Sequence, residues 1–403
     1  MATAVLALGI VLFSASLFTA VFRRTQVPDV LSLILLGILA GPVFGFISVD
    51  DFGKVGGVMS SVALVVILFE SGMSLELRAL TQSIRATSIV TLLTFMATMV
   101  IVAGVAHFGV GLPWLLACAM GAMLGGTSSA VVIPMVRQLP IGTVPATVLI
   151  LESALTDVLS IIVAMAFINA VSQGTLAPMA IAGGILASLI LAALIGAVAA
   201  MVFLFFVNAL RAMPNAVLSL LAYVFVTYGI TEMLGFSGAI AALALGFTLT
   251  NRSGLGITTL RWFAHVAEVK TPRYVQAFLT DAIFMLKTFF FVYLGLSIHF
   301  GSLPFVLWAA LAMGVVYAAR AVIVRYTATS GTPVADANVM AVMVPKGLAA
   351  AVLASVPLHR GFPEGAAMQQ FTYMAVLISI VLTSVLVPIV QRGVPRLPPS
   401  DDE

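Results

Sequence analysis

The stretch LGGTSSAVVIP, residues 124–134, places two glycines, three consecutive hydroxyl residues and a proline inside a long apolar segment. The stretch MVPKGLAAAVLASVP, residues 343–357, interrupts a second apolar segment in a similar way, with prolines at Pro345 and Pro357. Such interruptions at corresponding places in two halves of a chain predict discontinuous membrane helices that cross near the middle of the bilayer. Glycine and proline are also common in unbroken membrane helices, where small residues allow close packing. The matched positions in the two halves favour the crossing.

The composition indicates a membrane protein. The chain is 62% hydrophobic and 8% charged, against about 25% charged residues in an ordinary soluble domain. Segments of about 18 or more mostly apolar residues are candidate transmembrane helices. We count thirteen such segments: 2–22, 27–47, 57–77, 84–107, 113–136, 143–172, 176–207, 215–233, 236–250, 279–299, 304–326, 334–357 and 367–390. The sequence therefore predicts an all-α polytopic membrane domain, residues 1–390, followed by a short cytoplasmic tail, residues 391–403.

The two interrupted stretches fall in the fifth and twelfth of these segments. Thirteen segments then divide into six, one and six, with an interruption in the fifth segment of each set. This arrangement predicts two inverted six-helix repeats with discontinuous crossing helices 5 and 12. Segment 7, residues 176–207, would be the linker helix between the repeats.

The basic residues predict the orientation in the membrane. Thirteen of the 18 lysines and arginines lie in loops after odd-numbered segments or in the tail, and three more lie inside segments. The opposite loops hold only Lys54 and Arg360. Because cytoplasmic loops carry an excess of Lys and Arg, we expect the N-terminus outside and the C-terminus in the cytoplasm, across the cell (inner) membrane. The basic residues form no stripe, so we expect no nucleic acid as a partner.

Six charged side chains lie inside the apolar segments, away from the segment ends. A charge near the bilayer centre costs about 2.5–3.5 kcal/mol even on a lenient scale, so such residues usually mark an ion or proton path. For any one of them the alternative is a buried salt bridge that only orients helices. The six are Glu70, Glu152, Asp157, Lys287, Arg320 and Lys346. A pathway lined by so many titratable groups is typical of a transporter.

The motif ESALTD, residues 152–157, carries two of the acids. Ser153 and Asp157 are four residues apart and share one face of a helix. Glu152 and Asp157 are five apart, about 140° around the helix axis, so they face different neighbours. Carboxylate, hydroxyl and carbonyl oxygens are the ligands that a hard cation prefers. We expect Asp157 to bind a monovalent cation in competition with a proton, and Glu152 to form a structural ion pair.

At these motifs the chain resembles the monovalent cation:proton antiporter family of the sodium/proton exchanger superfamily, and the likeness covers nearly the whole sequence. The specific part is ESALTD combined with FESG (69–72), a basic residue in segment 11 and PKG (345–347). Other stretches similar to the family are VPDVLSLILLGILAGPVFG (27–45), TSSAVVIP (127–134), LGFSGAIAALALG (234–246), FFFVYLGLSI (289–298) and PKGLAAAVLA (345–354). The resemblance implies secondary active exchange of a monovalent cation for protons by alternating access.

The resemblance also implies a role for each polar residue inside the membrane. Asp157 would bind both the cation and the proton, and Glu152 would pair with Arg320. Lys346 would lie near the helix crossing and neutralise its dipoles. The further ligands of the cation would be Glu70, Thr127, Ser128 and Ser153.

A two-part architecture follows from the same resemblance. The core, residues 84–172 and 304–390, would move against a panel of dimerisation helices, residues 2–77 and 215–299. The protein would be a homodimer.

Some positions leave the ion and the stoichiometry open. Thr156 precedes the key aspartate where electroneutral relatives usually have Asn and electrogenic ones a second Asp. TSSA, residues 127–130, is closer to the potassium-efflux branch than to the TDP-like stretch of the sodium-selective branch. Lys287 lies where electrogenic relatives can carry a proton-linked lysine, and a pair with an acid is the alternative. The cation is therefore Na⁺, Li⁺ or K⁺, and we expect electroneutral exchange because segment 6 offers one free acid.

Other function classes fit the sequence less well. A potassium/proton antiporter is the nearest alternative. A sodium-coupled symporter of organic anions could share the crossed helices, but it does not explain Glu70, Asp157 and Lys346 together. For an intramembrane hydrolase, the sequence contains neither H-E-x-x-H nor G-x-S-x-G. We expect a transporter without a cofactor and not an enzyme.

Overall fold

A computed structural model describes residues 9–11, 13–17, 28–47, 53–75, 77–174, 178–211, 216–257, 273–298, 303–327 and 332–392. The regular elements among these residues are all helices. Their bounds are α1 (Asp29–Ile38), α2 (Gly53–Ser74), α3 (Leu77–Val105), α4 (Trp114–Met123), α5 (Ser129–Val136), α6 (Thr143–Gln173), α7 (Pro178–Arg211), α8 (Ala216–Met233), α9 (Gly238–Thr250), α10 (Arg273–Ser297), α11 (Leu303–Thr327), α12 (Val334–Val342), α13 (Leu348–His359) and α14 (Gly365–Arg392). Helices α1 and α3 each continue into one π-helical turn, Leu39–Val43 and Ala106–Val110.

The described helices confirm the all-helical, membrane-spanning fold class. Six of them are long and apolar enough to cross a bilayer by themselves: Thr87–Val110, Thr143–Ser172, Leu186–Phe206, Thr280–Ser297, Leu303–Thr327 and Gly365–Gln391. Shorter apolar helices occupy the predicted segments 2, 3, 8 and 9 and the halves of 5 and 12. The count of thirteen stays a prediction, because most of segment 1 lies outside the described residues. The end of the tail, from residue 393, also lies outside them.

Both predicted interruptions are real breaks. In segment 5, α4 ends at Met123 and α5 begins at Ser129, and in segment 12, α12 ends at Val342 and α13 begins at Leu348. The residues between the half-helices leave the regular helical hydrogen-bond pattern. Because the bilayer core has no water to satisfy freed N–H and C=O groups, such backbone is stable only where protein surrounds it.

The two breaks are joined to each other at the crossing. The N–H of Ser128 donates a hydrogen bond of 2.7 Å to the carbonyl oxygen of Pro345. The N–H of Lys346 donates one of 2.8 Å to Oγ of Ser379 on α14. Gly347 packs directly on Ser128, and a Cβ at Gly347 would overlap that side chain. The crossing therefore requires glycine at 347 and provides partners for the freed backbone.

Glycine contacts hold two further helix pairs together. Gly37 on α1 faces Gly295 on α10, and Gly72 on α2 packs beside Gly246 on α9; a Cβ at any of the four would overlap a carbonyl oxygen of the facing helix. In the inverted-repeat numbering, segments 2 and 3 correspond to segments 9 and 10. The pair α1–α10 is therefore the symmetry counterpart of the pair α2–α9. Each repeat uses the same close backbone contact.

The remaining packing divides the helices into two groups. Helix α4 packs on α3 and α6, α11 packs on α3 and α14, and α13 packs on α14. In the second group, α9 packs on α2 and α7, and α10 packs on α1. The division of the chain into a core and a panel stays a prediction. Movement of one group against the other stays a prediction.

Candidate cation site

Asp157 lies near the middle of α6, next to the break in segment 5. Its side chain is buried, and its Oδ2 accepts a hydrogen bond of 2.6 Å from Oγ of Ser129. Ser129 is the first residue of α5. The distance is typical of a hydroxyl that donates to an ionised carboxylate. The break thus brings a hydroxyl and the N-terminal end of a half-helix to the carboxylate.

Thr156 fixes the other side of the break to α6. Its Oγ1 accepts a hydrogen bond of 3.0 Å from the N–H of Thr127 and donates one of 3.2 Å to the carbonyl oxygen of Ser153. Gly126 lets the two backbones approach, because a Cβ there would lie 2.6 Å from Oγ of Ser160. Thr156, which precedes the aspartate, therefore positions the non-helical backbone of the break against α6.

A small cavity adjoins Asp157. Its volume is about 10 Å³, room for about one water molecule. The lining residues are Leu64, Ile67, Leu68, Ser128, Ser129, Ala130, Asp157, Leu348 and Ala349. Both half-helices that follow the breaks, α5 and α13, contribute to it. The cavity therefore places the carboxylate at the point where the two interrupted helices meet.

Two of the expected cation ligands, Glu70 and Ser153, do not line the small cavity, and their role as ligands stays a prediction. Glu70 is exposed and does not line the cavity. Ser153 is buried, but its hydroxyl donates to the carbonyl oxygen of Ile150 in its own helix at 2.9 Å. Thr127 and Ser128 lie at the crossing, as expected, with their N–H groups engaged by Thr156 and Pro345.

The structure brings Glu152 and Arg320 together in a buried two-point ion pair. The guanidinium NH2 lies 2.7 Å from Oε2 of Glu152, and NH1 bonds Oε1 of the same carboxylate. Arg320 also donates to Oγ1 of Thr94 and to the carbonyl oxygen of Met340, each at 3.1 Å. One arginine on α11 thereby ties α6, α3 and α12 together.

The two lysines inside the membrane have different environments. Lys287 on α10 forms an ion pair with Asp29 on α1, with Nζ 3.1 Å from Oδ1. Lys346 is fully buried at the crossing, and its Nζ has no hydrogen-bond partner among the residues that the structure describes. Lys287 thus holds α1 and α10 together, whereas Lys346 is held at the crossing through the hydrogen bond of its backbone N–H to Ser379.

A second, larger cavity of about 810 Å³ approaches the site from one face. Its polar rim includes Glu232 and Arg360, and Arg360 donates a hydrogen bond of 2.6 Å to Oδ1 of Asn169. Leu64 lines both this cavity and the small one beside Asp157. The two cavities therefore adjoin at Leu64.

Sequence reasoning missed three residues of this arrangement. Ser129 contacts the carboxylate, Ser71 lies next to Ser129, and Asp29 pairs with Lys287. The run of three hydroxyl residues at 127–129 was a signal for Ser129, and an acid directly after Pro28 was one for Asp29. Ser71 lies within the FESG motif (69–72), in which the glutamate was the residue assigned a role.

Comparison with known proteins agrees with this geometry. A sequence model of the family described as "Sodium/hydrogen exchanger, transmembrane" matches residues 10–392. The chain belongs to the sodium/hydrogen exchanger family. This result confirms the resemblance stated above. The family is one of monovalent cation/proton antiporters, which are transporters.

Three relatives show how far the likeness extends. A Na⁺/H⁺-K⁺ antiporter of Bacillus cereus is 24% identical over 391 residues, which cover 94% of this chain and 93% of that protein. A K⁺/H⁺ antiporter of Alkalimonas amylolytica is 24% identical over 252 residues, but the match spans only 44% of that protein's length. The solved structure of a sodium proton antiporter from Methanocaldococcus jannaschii at pH 8 superposes with a TM-score of 0.75 at 20% identity, covering 96% of this chain and 98% of that one. The last likeness shows the fold.

The buried ion pair leads to a prediction about stability. Replacement of Glu152 by Ala leaves Arg320 buried without its acid, which should lower the free energy of unfolding by about 3–5 kcal/mol. Thermal unfolding of the purified protein in detergent would show this as a lower midpoint. The matched control is the double variant Glu152→Leu/Arg320→Met, which removes both charges and should recover most of the loss. A Glu152→Ala variant with an unchanged midpoint would contradict the structural role.

Proposed function

We propose that this protein exchanges a monovalent cation for protons, and that the two ions compete for the carboxylate of Asp157. The observation that carries the proposal is the state of the buried acids. Glu152 and Asp29 each hold a basic side chain, whereas Asp157 is bonded by the hydroxyl and the backbone N–H of Ser129, both of them neutral groups. A buried carboxylate without a fixed cationic partner needs a mobile one, either a proton or a metal cation.

The surroundings of Asp157 support exchange by alternating access. Broken helices at a midplane crossing are the usual place for ion sites in inverted-repeat transporters. The large cavity gives access from the face at which α6, α8 and α13 end, and charge asymmetry of the loops assigns that face to the outside. The core of residues 84–172 and 304–390 would move against the panel of 2–77 and 215–299 and open Asp157 to the cytoplasm. We propose that the working unit is a homodimer in the cell (inner) membrane.

The cation is proposed to be Na⁺ or Li⁺, with K⁺ as the alternative. The full-length relative from Bacillus cereus is named for both Na⁺ and K⁺, and the one from Alkalimonas amylolytica for K⁺. The oxygens near Asp157 come from Ser128, Ser129 and the broken backbone, and such neutral ligands are compatible with each of these ions. The proposed exchange is therefore one cation for protons at a single carboxylate.

The first test measures exchange directly. Protein in proteoliposomes with an acid interior should release protons when Na⁺, Li⁺ or K⁺ is added, and the variant Asp157→Asn should abolish that release, because an amide keeps the shape but cannot exchange a proton. The matched control is Asp281→Asn, which makes the same change at an exposed acid on α10. If Asp157→Asn still dissipates the pH gradient while folded, the site is wrongly assigned.

The second test concerns competition between the two ions. If one carboxylate serves both, Asp157 must be deprotonated before the cation binds. Well below the pKa that governs binding, the apparent KM for the cation should rise about tenfold for each unit of decrease in pH. The maximal rate at saturating cation should change far less. A KM that is independent of pH across three units would show that the proton and the cation use separate groups.

The third test concerns net charge. Exchange at one carboxylate moves no net charge, and the ion pair of Lys287 with Asp29 gives this lysine a structural role instead of a proton-carrying one. An imposed membrane potential should then leave the rate of Na⁺-driven proton movement nearly unchanged, although each charge that crosses would feel about 2.3 kcal/mol per 100 mV. A potassium gradient with valinomycin sets the potential, provided that K⁺ is shown beforehand not to be transported. A steep dependence on potential would contradict the electroneutral cycle, and loss of that dependence in Lys287→Met would assign the extra charge to Lys287.

A further inference from the structure

A buried serine on α2 extends the hydrogen-bonded group at Asp157 towards the panel. Oγ of Ser71 lies 3.4 Å from Oγ of Ser129, which in turn donates to Oδ2 of Asp157 at 2.6 Å. Ser71 and Ser129 are each 3% exposed. The residues of α2 that line the small cavity are all apolar: Leu64, Ile67 and Leu68. Ser71 is therefore a polar group of α2 that lies beside the hydroxyl bonded to the carboxylate of Asp157.

We propose that Ser71 is a positioning residue that favours the cation over the proton at Asp157, by accepting the hydrogen bond of Ser129 when the cation binds. This inference rests on the proposed function and adds a residue to its site. It involves rotation of one hydroxyl and no covalent step.

The geometry of a hydroxyl gives the reason. Ser129 has one O–H to donate and two lone pairs with which to accept, and in the structure its hydrogen points to Asp157. A cation at the carboxylate requires lone pairs around it, so the hydrogen of Ser129 must turn away. A buried O–H that loses its acceptor is costly. Oγ of Ser71 is the neighbouring oxygen that can replace the carboxylate as that acceptor.

Protonation of Asp157 does not require the Ser129 hydroxyl to turn. A neutral carboxyl group at Asp157 can keep its hydrogen bond with Ser129, because no cation has to be surrounded by oxygen lone pairs. Ser71 thus contributes to the cation-bound state and not to the proton-bound state. Removal of its hydroxyl should weaken cation binding and leave proton binding in place, which shifts the competition towards the proton.

The contact should also depend on the state of the transporter. Gly72, next to Ser71, packs against the backbone of α9, so Ser71 is held within the α2–α9 pair. Ser129 and Asp157 belong to the other helix group. If the core moves against the panel, the Ser71–Ser129 contact exists in only one of the two conformations of the transport cycle. It exists in the conformation in which the 810 Å³ cavity reaches Leu64. The loop charges assign the opening of that cavity to the outside of the membrane.

The test compares cation affinity at the two membrane faces. Right-side-out and inside-out vesicles that contain wild type, Ser71→Ala or Ser71→Thr would be titrated with Na⁺ and Li⁺ while proton movement is followed. Ser71→Ala should raise the outer-face KM about fivefold, which corresponds to one typical hydrogen bond of about 1 kcal/mol. Its maximal rate and its cytoplasmic-face KM should stay within about twofold of wild type. Ser71→Thr keeps the hydroxyl and should restore the affinity.

A matched control separates this role from general loss of a serine. Ser172→Ala removes a hydroxyl that bonds the carbonyl oxygen of Ile168 in its own helix, at 3.0 Å, and should leave both KM values unchanged. An unchanged outer-face KM in Ser71→Ala overturns the inference. So does a loss of maximal rate that Ser71→Thr shares, because it indicates a packing role. An equal rise at both faces overturns the state-dependent contact. If wild type itself exchanges no cation for protons, the proposed function fails and the inference with it.

Discussion

The structure depends on one constraint, which is that a polypeptide cannot leave its backbone unpaired inside a bilayer. Two helices nevertheless stop in the middle of the protein, at Met123 and Val342, and resume at Ser129 and Leu348. The breaks are tolerated because their free backbone groups find hydrogen-bond partners. The N–H of Ser128 donates to the carbonyl oxygen of Pro345 in the other break, and side chains of α6 and α14 accept hydrogen bonds from further N–H groups. Since such polar groups cost several kcal/mol each when unsatisfied in hydrocarbon, the crossing can form only as a unit.

The position of Asp157 follows from that unit. Thr156 and Gly126 fix the broken backbone against α6, so the first residue of α5 must lie beside the next turn of α6. Ser129 is that residue, and its hydroxyl meets the carboxylate of Asp157. The N-terminus of a helix carries a partial positive charge and favours anions. The carboxylate of Asp157 can therefore be held at the N-terminal end of α5 without a basic side chain.

Much of this arrangement could be predicted from the sequence, and the reasons for the failures are physical. Glycine and proline interruptions are local signals, so the broken helices were predictable, as was the separation of Glu152 from Asp157 around one helix. The placement of Glu70 and the hydrogen bond of Ser153 could not be predicted. Helical spacing gives the angle between two residues around the helix axis, but it does not say which neighbouring helix each residue faces. That neighbour depends on how α2 packs on α9, through Gly72 and Gly246.

Long-range pairs were the other gap. Asp29 and Lys287 are 258 positions apart, and nothing local to either residue names its partner. The inverted repeat supplies the missing reason: α1 faces α10 as α2 faces α9, through glycines that bring the backbones into contact. An acid near the start of α1 and a base on α10 can then meet across that contact. The pair therefore fastens α1 to α10, and its lysine is engaged by Asp29.

The distribution of partners among the buried charges explains how one acid can remain available. Arg320 is engaged by Glu152 and Lys287 by Asp29, and each pair fastens helices of one group. Lys346, the third base, lies at the start of α13 with its Nζ unbonded among the described residues. Its Nζ is therefore not paired with the carboxylate of Asp157. A direct ion pair there would compete with any transported ion. Because Arg320 and Lys287 are committed to other acids, the partners of Asp157 are the hydroxyl and the backbone N–H of Ser129. Both groups are neutral, so a mobile cation would not have to displace a basic side chain from the carboxylate.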